Sequence, residues 1–134
     1  MDGYKYTSKM LKALAHPVRL RILDALSTDV QACVCHLESQ LQLRQAYISQ
    51  QLSTLREAGL VQDRREGMNV YYSLASPAVA NGLRYQREFA EEMAKLQDEK
   101  ITFTAIERDL DEPCPCPRCH EAVEVLESVG EGLS

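Results

Sequence analysis

All five cysteines of this 134-residue chain stand in two groups, Cys33-Val34-Cys35 and Cys114-Pro115-Cys116-Pro117-Arg118-Cys119, and the second is followed by His120. Clustered thiolates select soft ions. Four suit Zn, Cd or Pb, three in a pyramid suit arsenite or antimonite, and oxygen-preferring Mg and Ca fit poorly. Two thiolates at i and i+2 touch one ion only with local distortion or at a helix start, and two alone leave a divalent ion under-coordinated. If Cys33 and Cys35 bind an ion, further ligands are needed, and Cys114, Cys116 and Cys119 are the thiols available. Nearby thiols also support di- or polysulfide chemistry. Burial as an apolar packing residue is a fair account of one cysteine, and a weak one of five so grouped.

The elements that must position these sulfurs follow from periodicity. Residues 1–7 carry no apolar repeat and read as loose. Met10, Leu11 and Leu14 give a short helix over Ser8 to Ala15. His16-Pro17 interrupts it, with the histidine as a cap or packing residue and Pro17 in the first turn of the next helix. That helix lines up Val18, Ile22, Leu23 and Leu26 and ends at Ser27-Thr28-Asp29. Cys33 and Cys35 then stand at the front of a short amphipathic helix, Val34 to Leu41. After a break at Gln42-Leu43, a second helix runs from Arg44 to Ala58 and stops at Gly59. Ile48, Leu52 and Leu55 form its narrow apolar stripe. Its far side presents Ala46, Gln50, Ser53 and Thr54, flanked by Tyr47 and Ser49, and Gln45, Ala46, Tyr47, Ser49 and Gln50 should sit nearest the bases. These groups are polar, small and uncharged, suited to meeting base edges. Strand-like runs over Leu60 to Arg65 and Asn69 to Leu74 are hinged at Glu66-Gly67-Met68, with Arg64 and Arg65 placed for phosphates or a minor groove. Helix, turn, helix and hairpin make a mostly α fold with a small β-hairpin wing, a winged helix-turn-helix.

A long helix follows from Ser76-Pro77 to about Lys100. Leu83, Ala90, Met93, Ala94 and Ile101 line one side, and Tyr85, Phe89 and Leu96 another. That apolar surface is wider than one small domain covers, which implies a dimer interface. We read residues 1–100 as the DNA-binding and dimerisation domain, and residues 101–134 as an acidic linker with a cysteine-rich tail. Three prolines within Pro113 to Pro117 preclude a helix there, and Glu121 to Val129 reads as a short terminal helix.

The charge distribution agrees with a nucleic-acid partner. The net charge is −5, yet residues 1–75 carry +2 and residues 76–134 carry −7, so the front half is free to meet phosphates. No apolar run approaches the roughly 20 residues that span a bilayer, and the first residues lack the apolar core of a signal peptide, so a cytoplasmic protein without membrane contact is expected. In a reducing compartment, five cysteines argue against a disulfide framework.

Several phrases carry a family resemblance: Leu11-Lys12-Ala13-Leu14-Ala15-His16-Pro17-Val18-Arg19-Leu20-Arg21-Ile22-Leu23, Cys33-Val34-Cys35-His36-Leu37, Ile48-Ser49-Gln50-Gln51-Leu52, Leu55-Arg56-Glu57-Ala58-Gly59-Leu60-Val61, and Val70-Tyr71-Tyr72-Ser73-Leu74 after Arg65-Glu66-Gly67. Over about residues 8–75 the chain resembles the ArsR/SmtB group of metal-sensing winged-helix repressors. The resemblance implies a homodimer through the first and last long helices, an inverted-repeat operator in double-stranded DNA, and release when an effector binds. It implies Cys33 and Cys35 as ligands, as in the arsenic- and cadmium-responsive branches. Glu38 stands where the arsenic branch often has a third cysteine. Residues 1–32 lack the N-terminal cysteines of the cadmium branch, and Pro77 to Lys100 has no histidine for the other known site.

The expectation is therefore a repressor released by a thiophilic ion (Zn, Cd, Pb or As(III)) held by Cys33, Cys35, Cys114, Cys116 and Cys119, with no organic cofactor. The alternative is a redox- or persulfide-responsive repressor of the same fold whose tail cysteines hold a structural zinc. No Gly-rich phosphate loop, nucleophile elbow or His-Glu-x-x-His motif suggests an enzyme.

Overall fold

In the computed structural model, which describes residues 1–28 and 31–103, the chain begins with helix α1 (Gly3–Leu14) rather than a loose arm. Asp2 starts it: the side chain accepts a hydrogen bond from the Tyr4 N–H at 2.8 Å, satisfying one of the donors that a helix start leaves open. Helix α2 (Pro17–Thr28) follows, with Ile22, Leu23 and Leu26 buried. His16 caps it, its Nδ1 accepting from the Val18 N–H at 3.2 Å.

A two-residue strand β1 (Ala32–Cys33) then leads without a break into α3 (Val34–Leu41). Gln42 turns the chain in the left-handed region, φ 55°, and recognition-type helix α4 (Gln45–Glu57) begins three residues later. Gly59 ends α4 at φ 79°. Its N–H reaches the Arg56 carbonyl, and the Leu60 N–H reaches that of Leu55, both at 3.0 Å, which is the Schellman pattern. Leu55 and Leu60 are both buried there.

Strands β2 (Val61–Glu66) and β3 (Asn69–Leu74) form the wing hairpin, from Val61 opposite Leu74 to Glu66 opposite Asn69. Its loop is Gly67-Met68. Glycine comes first, with φ 62°, as a two-residue loop of the II′ kind requires. The expected hairpin is in fact two-thirds of a sheet, because β1 pairs antiparallel with β3 and gives the order β1-β3-β2. Two residues carry no strand periodicity of their own, so β1 exists by virtue of its partner.

Helix α5 (Pro77–Leu96) opens as expected, with Ser76 Oγ accepting from the Ala78 N–H at 3.1 Å. It stops short of Lys100, because Asp98 takes φ 57° and the Glu99 N–H turns back to the Ala94 carbonyl at 2.8 Å. The core lies among α2, α3, α4 and the base of the hairpin, where Ile22, Leu23, Leu37, Ile48, Leu52 and Leu55 are fully buried. Among the described residues no helix is long and apolar enough to cross a membrane. The acidic linker from Asp109, the three tail cysteines and the helix expected over Glu121 to Val129 lie outside the described residues.

Candidate functional site

The outer face of α4 is built by subtraction. Ile48, Leu52 and Leu55 sit at 0% exposure, so the helix has spent its apolar stripe on the core and must present its other side to solvent. Gln45, Ala46, Tyr47 and Gln50 are exposed and Ser49 half-buried, along the first two turns. Two contacts fix this helix that the apolar pattern alone did not reveal. Arg19 of α2 donates through Nε to Gln51 Oε1 at 2.8 Å, and through Nη1 to the Ala13 carbonyl at 3.1 Å, so one guanidinium ties α1, α2 and α4 together. The only signal in the sequence is that Gln51 lies beside the stripe, three positions after Ile48. The Tyr47 hydroxyl lies 3.4 Å from His16 Nε2, which joins the reading face to the cap of α2.

Arg64 and Arg65 are both exposed on β2 and, as consecutive strand residues, project to opposite faces of the wing. Arg64 is the better defined. Its guanidinium lies 6.0 Å from the Tyr71 ring centroid, donates to Gln31 Oε1 at 3.1 Å and pairs with Glu66 at 3.5 Å, while the side chain stays 61% exposed. Sequence reading placed the arginine at the wing but missed Gln31 and Tyr71, because their proximity depends on β1.

The two described thiols stand where the backbone changes character. Cys33 is the last residue of β1 and the N-cap of α3, extended at φ −83°, ψ 166°, and 5% exposed. Cys35 is half-buried in the first turn of α3. The pair therefore stands at a helix start. Two thiols alone do not complete a metal site, and among the described residues no three His, Cys, Asp or Glu side chains group closely enough to hold a metal. Cys33 and Cys35 thus fit as part of a thiolate site. Cys114, Cys116 and Cys119 fall outside the described residues.

The site is therefore a polar, uncharged helix face beside a wing that carries Arg64 and Arg65 between Asp63 and Glu66, with a thiol pair at the entrance to the preceding helix. The profile of bacterial regulatory proteins of the arsR family matches residues 16–63, from the cap of α2 into β2. The uncharacterised HTH-type transcriptional regulator Rv0081 of Mycobacterium tuberculosis is 40% identical over 85 residues, 63% of this chain and 75% of that protein. The chain belongs to the ArsR family.

Two further proteins are similar in different respects. The transcriptional repressor SmtB homolog of Synechocystis is 41% identical over 81 residues, 60% of this chain and 61% of its own. The homodimeric winged helix-turn-helix DNA-binding domain Mb0332 of Mycobacterium bovis superposes with a TM-score of 0.63 at 28% identity, covering 75% of this chain and 90% of that one. The crystal structure of Rv0081 superposes with a TM-score of 0.66 at 35% identity, over 73% of this chain and 99% of its own. The fold of this ArsR-family chain is accordingly that of winged helix-turn-helix regulators, and its family role is transcriptional repression rather than catalysis.

Proposed function

We propose that this ArsR-family repressor binds its operator as a homodimer and is released when a thiophilic metal or metalloid ion binds Cys33 and Cys35. The observation that carries the reading is the position of the pair: one thiol ends the strand joined to the wing sheet, and the other opens the helix that precedes α4. An ion bridging them acts on the backbone that holds both DNA-contacting elements. The ion would supply strong sulfur bonds. The chain's own contribution is the placement of those sulfurs and the polar face that they control.

Gln45, Ala46, Tyr47, Ser49 and Gln50 meet base edges in this reading, and Arg64 and Arg65 meet phosphates or a minor groove. A second copy covers the apolar residues that the single chain leaves exposed, Tyr4 and Leu11 on α1 and Tyr85, Phe89, Met93 and Leu96 on α5. The dimer then sets two α4 helices against an inverted repeat.

The missing ligands come from Cys114, Cys116 and Cys119 in this proposal. The departure point of the tail supports it. Phe103 packs on Arg87, whose guanidinium is 4.5 Å from the ring centroid, and Arg87 pairs with Asp24 of α2 at 2.8 Å. From Phe103 to Cys114 the chain can reach at most about 40 Å, enough to span a domain of this size.

The test uses the reduced full chain on a duplex operator obtained by in vitro selection. Cys33→Ser and Cys35→Ser are each expected to abolish Cd-driven release while leaving metal-free affinity near the parent's; release unchanged in either variant overturns the reading. Removing residues 111–134 is expected to weaken or abolish the response. Loss of one equivalent of metal with sensing intact would instead assign the tail a separate structural zinc. Release by mild oxidant or persulfide with no response to any ion would make the pair a redox switch.

A further inference from the structure

The strand register places Cys33, Tyr71 and Arg64 in one row across the three-stranded sheet. Cys33 is directly opposite Tyr71 on β3, and Tyr71 is directly opposite Arg64 on β2. Directly opposed residues share a face, so the three side chains emerge on the same side, spanning about 10 Å in two interstrand steps. Arg64 lies over the Tyr71 ring, as two opposed members of that row should. The row is also closed at its edge. Gln31, two residues before Cys33, accepts from Arg64 Nη2 at 3.1 Å, across a sequence separation of 33 residues. Arg64 therefore has Tyr71 beneath it, Gln31 from the residue just before the thiol-bearing strand, and Glu66 from its own strand at 3.5 Å.

We propose that Tyr71 and Gln31 are positioning residues that set where the wing cation Arg64 lies on DNA and carry the state of the thiol site to it. The coupling half of this rests on the ion-responsive reading of Cys33 and Cys35; the positioning half does not. Strand β1 is only two residues long, so few backbone hydrogen bonds hold it against β3. Cys33 is at once its last residue and the cap of α3. Drawing the Cys33 sulfur towards an ion shared with Cys35 rotates the backbone at that junction. The displacement carries Gln31 away from Arg64. Without the amide acceptor, the guanidinium is held by the Glu66 carboxylate alone, which draws it away from phosphate. The wing then loses a contact at the moment that α3 and α4 shift.

The experiment measures operator affinity of the full chain against KCl concentration, with and without saturating Cd, for Gln31→Ala, Tyr71→Leu, Tyr71→Phe and Arg64→Ala. A lost phosphate contact lowers the slope of log affinity against log salt by about one. Gln31→Ala and Tyr71→Leu are expected to show that reduction without metal, as Arg64→Ala does, and to shrink the Cd-driven fall in affinity several-fold. Thiolate-to-Cd absorbance should keep the parent stoichiometry in all of them. Tyr71→Phe keeps a ring beneath the guanidinium and is expected to behave as the parent.

Parent-like slopes and a full Cd response in Gln31→Ala would overturn the proposal, and this exposed change tests it even if Tyr71→Leu fails to fold. If the parent chain neither binds Cd through Cys33 and Cys35 nor releases DNA, the ion-responsive reading and the coupling fall together. The metal-free slopes still decide whether Gln31 and Tyr71 position Arg64.

Discussion

Helices α4 and α5 are both amphipathic, and they spend their apolar sides differently. In α4 the stripe Ile48, Leu52 and Leu55 disappears into its own core, whereas in α5 Phe89 is 67% and Leu96 80% exposed, with Ala94 the buried residue of the helix. A helix whose apolar face is already satisfied has its polar face free for a ligand. A helix whose apolar face is left open still lacks a partner. The contrast separates reading from assembly: in the proposed function α4, held from behind, meets DNA, and α5 meets a second copy of the chain.

The largest effect should come from breaking the satisfied side. Leu52→Ala removes a fully buried side chain and is expected to cost about 2–5 kcal/mol of stability, measured by urea unfolding; a loss below about 1 kcal/mol would mean that α4 is not anchored as described. Next comes the open side. Phe89→Glu should leave the monomer folded by circular dichroism but dissociate the dimer in light scattering, and weaken operator binding roughly 100-fold or more as bivalency is lost. A dimer that persists with full affinity would place the interface elsewhere.

On the outer face of α4, Gln50→Ala is expected to leave the melting temperature within error and to cost about 1–3 kcal/mol of discrimination between operator and mismatched duplex. A uniform loss on both sequences would make Gln50 a backbone contact instead. The smallest effect is at the turn between α3 and α4. Gln42 holds φ 55°, so Gln42→Gly should relieve strain and stabilise by up to about 1 kcal/mol; destabilisation would show that the glutamine side chain contributes to the turn.

The same contrast explains what the sequence made legible. The α4 stripe has a strong helical period, Gly59 marks its end, and Ser76-Pro77 marks the start of α5, so each element follows from local chemistry. The capping role of His16 was equally local. Strand β1 was not legible, because Ala32 and Cys33 have no alternation to display and are recruited by β3. The first turn of α1 escaped because Gly3 to Thr7 has no apolar repeat; Asp2 was its one signal. Arg19 with Gln51, and Arg64 with Gln31, are separated by 32 and 33 residues, and no spacing rule links such distant polar groups. For the thiol site, the pair Cys33 and Cys35 was visible from sequence, while its position at the junction of wing sheet and α3 required the fold.

The most direct measurement is fluorescence anisotropy of the reduced, metal-free chain on its operator, at fixed salt, titrated in turn with Cd, Pb, Zn and arsenite. Salt must be held constant because phosphate contacts make the affinity steeply dependent on it. Release by at least one of these ions is expected near one equivalent per thiol site, with a weaker response as pH falls because protons compete for the sulfurs. Tight binding that none of the four ions disturbs would contradict it.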